Sequence, residues 1–194
     1  MNATAVIPLK GFDVAKGRLA PSLAPYQRSS LARAIADHVV LACIDAGFDL
    51  TIVTRDSSVA EWAAEHEASV VTDPMQGLDA ACAAALPADG TPWIIVHGDL
   101  PLLDDATMHR ARLAISAGTA VIAPSRDGGT NLLGSTGRVQ FSYGPGSFHR
   151  HLAAIPRPFR VFAGMESIVE LDTPADLKAA IGVPSGRWLA PFLS

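Results

Sequence analysis

Short apolar runs alternate with longer stretches that carry apolar residues at helical spacing. The runs are four or five residues long, as in buried strands, and they predict strands at residues 5–9, 50–54, 69–72, 93–97 and 120–123. The longer stretches predict helices at residues 27–46, 59–67, 78–86 and 105–116. This alternation indicates an α/β protein with three layers, α/β/α, and a mostly parallel sheet. Ligands of such sheets bind at the carboxyl ends of the strands, so site residues are expected just after each strand.

The second half of the chain has a weaker pattern. Glycines crowd residues 128–146, which lack helical periodicity until Phe148, and we interpret this stretch as a substrate-binding insertion. The apolar end, residues 188–193, is expected to pack either on its own domain or on a second copy in a homodimer. No repeat, linker or shift in composition marks a boundary, so residues 1–194 are expected to form one domain.

Composition limits the function. A hydrophobic content of 49% in 194 residues can supply a full core, and the net charge of -4 argues against non-specific nucleic-acid binding. The longest apolar stretch is too short to span a membrane and no signal peptide opens the chain, so a cytoplasmic location is expected. Cys43 and Cys82 lie in alanine-rich helical patterns and are predicted to be buried thiols.

Three cations follow the first predicted strand: Lys10, Lys16 and Arg18. In an acidic protein this concentration suggests a phosphate clamp, although a solvated basic loop is an equally good interpretation. The segment lacks the glycine-lysine-serine/threonine spacing of a Walker A loop, and no G-x-G-x-x-G occurs in the chain. Ordinary P-loop and dinucleotide chemistry are therefore disfavoured.

Two aspartates are candidate ligands of Mg²⁺, which prefers carboxylate oxygens. Asp99 follows the fourth predicted strand and could also cap a helix, but Asp104 is better placed for that role. In the segment LDTPADL, Thr173 is the predicted N-cap and Asp176 meets the helix dipole from the third helical position. Asp172 serves neither purpose, which leaves it available for a metal.

Three further features could contact substrates. Gly144 and Ser147 precede a predicted helix, where backbone N–H groups can bind an anion, and Thr130 adds a hydroxyl on a flexible loop. Ordinary turn chemistry explains these residues as well. Gly77 would let a flat base approach the backbone, and Asp79 could accept from the N–H donors of guanine or simply be an acid at a helix start.

Six segments in this order, PLKGFDVAKGRL, DPMQGLDAA, GDLPLL, DGGTNLL, FSYGPGSFHRHL and LDTPADL, resemble the phospholactate or phosphoenolpyruvate guanylyltransferases of deazaflavin coenzyme biosynthesis. The resemblance spans residues 7–177 and implies the nucleotide-diphospho-sugar transferase fold. It implies that Asp99 and Asp172 bind Mg²⁺, and that Thr130, Gly144 and Ser147 hold the acceptor. Lys10, Lys16 and Arg18 would contact the triphosphate of GTP. Asp79 departs from the asparagine common in relatives, and His97 is unusual before the Gly-Asp pair and receives no function.

The expected reaction is attack of an acceptor phosphate on the α-phosphorus of GTP, which needs no general base because a phosphate is already ionised. Asp99, Lys16 and Lys10 are the predicted catalytic residues. Phosphoenolpyruvate, 2-phospho-L-lactate and 3-phosphoglycerate all remain open as acceptors. One alternative is another nucleotidyltransferase of the same fold, such as a molybdopterin guanylyltransferase, although the glycine-rich L-x-G-G-x opening is absent. A non-catalytic nucleotide-binding regulator is the other.

Overall fold

A seven-stranded sheet runs through the computed structural model, which describes residues 2–88 and 90–193. The strands are β1 (Ala3–Pro8), β2 (Phe48–Thr54), β3 (Ser69–Thr72), β4 (Trp93–Val96), β5 (Ala120–Pro124), β6 (Thr130–Ser135) and β7 (Phe159–Val161). Their order in the sheet is β3-β2-β1-β4-β6-β5-β7. β6 runs antiparallel to both of its neighbours, β4 and β5, and the other neighbouring pairs are parallel.

Helices cover both faces of the sheet. They are α1 (Pro25–Asp45), α2 (Ser57–Glu65), α3 (Leu78–Ala84), α4 (Asp105–Ser116), α5 (Ser147–Ala154), α6 (Met165–Ile168) and α7 (Pro174–Ile181), with 3-10 segments at Gly17–Leu19 and Pro184–Leu193. One buried cluster joins the sheet to α1, α2, α4 and α7, and a second joins its other face to α3 and α5. Alternate residues of a strand serve the two clusters: Ile94 belongs to the first and Ile95 to the second. The predicted three-layer α/β/α fold with a mostly parallel sheet is confirmed.

All five predicted strands and four predicted helices are present, with ends within two residues of the expected positions. The two strands that were not predicted are β6 and β7. The prediction that Thr130 lies on a flexible loop is wrong, because Thr130 is the first residue of β6 and is 1% exposed. β6 is buried along its whole length between β4 and β5. Pairing with these two strands stabilises it as a strand, although its sequence has no apolar periodicity.

The C-terminal apolar segment packs on its own domain. Leu189 is fully buried in the first cluster, and the indole Nε1 of Trp188 donates to the carbonyl of Pro101 at 3.2 Å. The segment therefore gives no reason to expect a homodimer. Cys43 and Cys82 are buried thiols, as predicted. Among residues 2–88 and 90–193, no helix has the length and apolar character needed to cross a membrane.

Candidate active site

A cleft of about 620 Å³ lies at the carboxyl edge of the sheet. It is walled by the segments that follow β1, β3 and β4, and by Asp172 from the segment before α7. Five predicted site residues line it: Lys10, Lys16, Gly77, Asp99 and Asp172. A second cavity of about 390 Å³, beside Thr107, Arg110 and Arg160, contains none of the predicted residues.

The ammonium group of Lys16 joins the two predicted metal ligands. Its Nζ donates to Asp99 Oδ2 at 3.2 Å and to Asp172 Oδ1 at 3.4 Å, and the Lys16 side chain is only 8% exposed. Arg18 reaches Asp172 Oδ2 at 3.5 Å from a side chain that is 77% exposed. The two carboxylates thus face one common point in the cleft, and Asp172 already meets two cations there.

Local backbone structure holds Asp172 at this point. The N–H of Leu171 donates to the carbonyl of Asp99 at 3.1 Å, which ties the segment before α7 to the end of β4. Thr173 and Asp176 then form a capping box, and Asp176 Oδ2 also accepts from the N–H of Asp172 at 3.2 Å. The predicted roles of Thr173 and Asp176 are confirmed, as is the Asp104 cap of α4.

A group with metal-ligand character was missed by the sequence analysis. Ligand atoms of His97, Asp99 and Glu170 all lie within 4.8 Å of one another, and each side chain is half-buried. Burial raises the pKa of the Glu170 carboxyl, as does the charge of Asp99, whereas His97 lowers it. Two carboxylates and an imidazole fit a divalent cation, so residues able to hold one lie at the end of β4, where His97 and Asp99 also line the cleft.

The predicted acceptor residues Thr130 and Ser147 do lie together. Their hydroxyl oxygens are 3.1 Å apart, both residues are buried, and Thr130 Oγ1 is 2.9 Å from Nδ1 of His151. The N–H of Ser142 donates to His151 Nε2 at 2.9 Å. A backbone N–H can only donate, so a neutral His151 carries its proton on Nδ1 and donates it to Thr130. The histidine of this network was not predicted.

A loop closes over this network. Gly144 lies in it with φ of 109°, a backbone conformation that favours glycine. Arg150 fastens the loop with three hydrogen bonds, of 2.7 to 2.8 Å, to Ser142 and the carbonyl of Pro145. The ring of Tyr143 lies 4.7 Å from that of His151 and 5.5 Å from that of His97, between centroids. The loop thereby connects the predicted acceptor residues to the cleft.

The predicted base-binding residues lie at the start of α3. Gly77 precedes the helix with φ of 90°, and a β-carbon added there would meet no atom within 4 Å, so backbone conformation rather than space requires glycine. Asp79 is exposed outside the lining of the cleft, and its Oδ1 accepts from the N–H of Tyr143 at 2.7 Å. Asp79 therefore links α3 to the loop that carries Gly144.

Comparison with known proteins identifies the family of this chain. Residues 3–190 match the family described as guanylyl transferase CofC like. The chain belongs to this family. A phosphoenolpyruvate guanylyltransferase of Roseiflexus castenholzii is 36% identical over 165 residues, covering 81% of this chain and 76% of the relative. A 3-phospho-D-glycerate guanylyltransferase of Phenylobacterium zucineum is 31% identical, covering 99% of this chain and 95% of the relative. A 2-phospho-L-lactate guanylyltransferase of Methanocaldococcus jannaschii is 28% identical, covering 89% and 79%.

Solved structures support the fold. A Desulfovibrio desulfuricans protein assigned as a nucleotide-diphospho-sugar transferase superposes with a TM-score of 0.75 at 14% identity, covering 98% of this chain and 95% of that one. A Mycobacterium tuberculosis protein solved in complex with manganese gives a TM-score of 0.55 at 22% identity, covering 92% and 97%. Both structures share the fold of this chain.

Proposed function

We propose that the chain transfers GMP from GTP to the phosphate of a small phosphorylated carboxylic acid, with release of diphosphate, in deazaflavin coenzyme biosynthesis. The observation that carries the proposal is the Lys16 ammonium, nearly buried in the cleft and shared by Asp99 and Asp172. Cations and carboxylates at one point are what transfer of a nucleotidyl group needs, because the reaction depends on positioning and on neutralising phosphate charge. Relatives named as guanylyltransferases support the choice of GTP.

In this proposal Lys10, Lys16 and Arg18 contact the triphosphate. Lys10 and Arg18 are exposed at the cleft and its rim, and the Lys16 ammonium would leave the carboxylates for phosphate oxygens. Gly77 would leave space for the base. Asp79 has one oxygen on the N–H of Tyr143, and its Oδ2 is left to accept from guanine.

The reaction needs positioning rather than a general base. An acceptor phosphate oxygen attacks the α-phosphorus in line with the leaving diphosphate, and the phosphate is already ionised at neutral pH. Asp99 and Asp172 would hold Mg²⁺, which when bound neutralises charge on the polyphosphate. Lys10 and Lys16 would stabilise the charge that develops on the leaving group.

The proposed acceptor residues are Thr130, Gly144 and Ser147. Thr130 and Ser147 are 1% and 0% exposed, so an acceptor reaches their hydroxyls only if the loop carrying Gly144 moves outward. The names of the three relatives contain phosphoenolpyruvate, 2-phospho-L-lactate and 3-phospho-D-glycerate. Each of these acids has one phosphate and one carboxylate. The acceptor of this chain is therefore proposed only as one of this class.

The test measures diphosphate release from GTP with the three acids offered singly and together, and identifies the products by mass. Asp99→Ala should abolish diphosphate release. The variant should still fold, which a cooperative thermal unfolding transition like that of the natural protein would show. Asp45→Ala, which removes an exposed carboxylate at the end of α1, is the matched control and should not change the rate. Unchanged turnover in Asp99→Ala would remove this residue from the mechanism.

The same assay separates the alternatives. A nucleotide-binding regulator would bind GTP and release no diphosphate with any acceptor. Another nucleotidyltransferase of this fold would release diphosphate only with an acceptor outside the class, such as molybdopterin. Substituting ATP or CTP for GTP tests the base preference attributed to Gly77 and Asp79.

A further inference from the structure

The loop over the predicted acceptor residues, which we call the acceptor loop and which comprises residues 142–146, is bound to two helices. On the side of α5, Arg150 holds it with three hydrogen bonds. On the side of α3, the N–H of Tyr143 donates to Oδ1 of Asp79 at 2.7 Å. The acceptor loop therefore joins the helix that carries a predicted base-binding residue to the helix that begins with a predicted acceptor residue.

Tyr143 contacts α3 at two positions. Asp79 and Cys82 are three residues apart, so they lie on the same face of the helix. Asp79 accepts from the backbone of Tyr143, and the side chains of Tyr143 and Cys82 both belong to the second buried cluster. Burial raises the pKa of the Tyr143 hydroxyl and the neighbouring Cys82 raises it further, so the hydroxyl is neutral at pH 7. Asp79 is exposed, so its hydrogen bond is the contact that water can replace.

Tyr143 also contacts the network of the predicted acceptor residues. Its ring centroid is 4.7 Å from that of His151, whose Nδ1 is 2.9 Å from the Thr130 hydroxyl. Thr130 and Ser147 are 1% and 0% exposed. An acceptor can reach their hydroxyls only when the acceptor loop moves away, and it is enclosed only when the loop returns. The position of Tyr143 therefore controls access to these hydroxyls.

The contact between Asp79 and Tyr143 is suited to repeated opening and closing. A carboxylate accepts from an N–H group more strongly than a neutral oxygen does, so the hydrogen bond favours the closed loop. Its exposure lets water solvate both groups when the hydrogen bond breaks. Gly144 and Gly146 follow Tyr143 with φ of 109° and 69°, and glycine tolerates the changes of backbone angle that loop movement requires. The structure thus favours opening at the α3 side of the loop.

We propose that Asp79 is a positioning residue for the phosphorylated acid and that it holds the acceptor loop closed through the N–H of Tyr143. This rests on the proposed function, to which it adds a residue that affects acceptor binding without touching the acceptor. The loop uses Oδ1 of Asp79 and the proposed guanine contact uses Oδ2, so both substrates depend on one carboxylate. Asparagine would separate the two roles, because its oxygen can accept from Tyr143 but its NH₂ group cannot accept from guanine.

The first measurement is hydrogen exchange of the acceptor loop, followed by mass spectrometry on the full chain without substrates. We expect the loop of Asp79→Ala to exchange about three to ten times faster than that of the natural protein, because the closed loop loses a hydrogen bond to a charged group. Asp79→Asn keeps an oxygen for Tyr143 and should exchange within about twofold of the natural rate. Asp105→Ala, which removes an exposed acid from the first turn of α4, is the matched control and should not change the rate.

The second measurement is diphosphate release, with the KM of the phosphorylated acid and the KM of GTP determined separately. Asp79→Ala should raise the KM of the acid about threefold to tenfold. Asp79→Asn should return this KM to within about twofold of the natural value while the KM of GTP stays raised. A purely structural role of Asp79 would lower the unfolding temperature without separating the two KM values.

An unchanged exchange rate of the acceptor loop in Asp79→Ala, or a KM of the acid equal to that of the natural protein, would overturn the positioning role. The exchange measurement requires no turnover, so this role and the proposed function can fail separately. Faster exchange in Asp79→Ala, without diphosphate release by the natural protein, would refute the guanylyltransferase and support the contact that closes the loop. Diphosphate release with an unchanged KM of the acid in Asp79→Ala would support the enzyme and refute the positioning role.

Discussion

Replacing Lys16 by methionine removes the cation shared by Asp99 and Asp172 and keeps a side chain of similar length. Lys16 has φ of 55°, and methionine is unbranched at its β-carbon like lysine, so the backbone cost is the same before and after the change. The two carboxylates then face each other without the ammonium between them. The variant therefore tests the charge arrangement on which the proposed function depends.

The size of the effect follows from distance and exposure. Two opposite charges about 4 Å apart attract each other by about 4 kcal/mol at an effective dielectric constant of about 20. Solvent-exposed ion pairs stabilise a protein by about 1 kcal/mol or less. The two distances are 3.2 and 3.4 Å, and the side chains of Asp99 and Asp172 are 30% and 44% exposed. We expect a loss of about 1–2 kcal/mol in the free energy of unfolding, near the exposed limit. For a chain of this size the unfolding temperature would fall by about 3–6 °C.

Thermal unfolding with and without Mg²⁺ is the assay. Removal of the lysine leaves Asp99 without its cation and Asp172 with only the exposed Arg18, so Mg²⁺ should raise the unfolding temperature of Lys16→Met more than that of the natural protein. Lys178→Met, an exposed lysine on α7, is the control and should behave as the natural protein. Equal stabilisation of Lys16→Met and the natural protein by Mg²⁺ would refute the idea that the two carboxylates bind one ion.

Three further changes have expected outcomes. Gly98→Ala places a β-carbon against the side chain of Leu9, so about 1–3 kcal/mol of stability should be lost in denaturant titration and diphosphate release should slow, whereas Gly137→Ala meets no atom within 4 Å and should change neither. Thr173→Ala removes the cap of α7 and should cost about 1 kcal/mol by the same measurement; an unchanged midpoint would contradict that role. Burial lowers the pKa of His151 from 6.5, so the unfolded chain binds more protons below that pH and the natural protein loses stability as the pH falls. His151→Asn should lose this part of the pH dependence, measured by denaturant titration at several pH values, and an unchanged slope would contradict it.

The sequence predicted the strands that are continuous apolar runs and missed β6 and β7. Strands β1 to β5 are apolar runs, and the N-caps Asp104 and Thr173 have the side chains that helix starts require. β6 reads Thr-Asn-Leu-Leu-Gly-Ser and is buried throughout, so its strand character comes from pairing on both sides. A short strand with polar residues and glycine gives no periodic signal.

The candidate site divides in the same way. Lys16, Asp99 and Asp172 each follow an apolar run or precede a cap, so local sequence places them at the carboxyl edge. Glu170 and His97 could not be paired from sequence, because their proximity depends on the contact between the segment before α7 and the end of β4. The one available signal was a histidine at the end of a buried strand, two residues before the predicted metal ligand.

Asn131, in the strand that the sequence did not reveal, holds these parts together. Its carbonyl accepts from the N–H of His97 at 3.1 Å, and its side-chain Nδ2 donates to the carbonyls of Ser167 and Ile168 at 3.1 and 3.2 Å. Because β6 runs antiparallel, its first residues rather than its last lie at the carboxyl edge of the sheet. The first residue of β6, Thr130, therefore lies beside Ser147. The second, Asn131, holds the segment that leads to Glu170 next to His97. The polar residues Thr130 and Asn131 give β6 no strand pattern in the sequence. The same residues connect the proposed acceptor site to the proposed cation-binding side of the cleft.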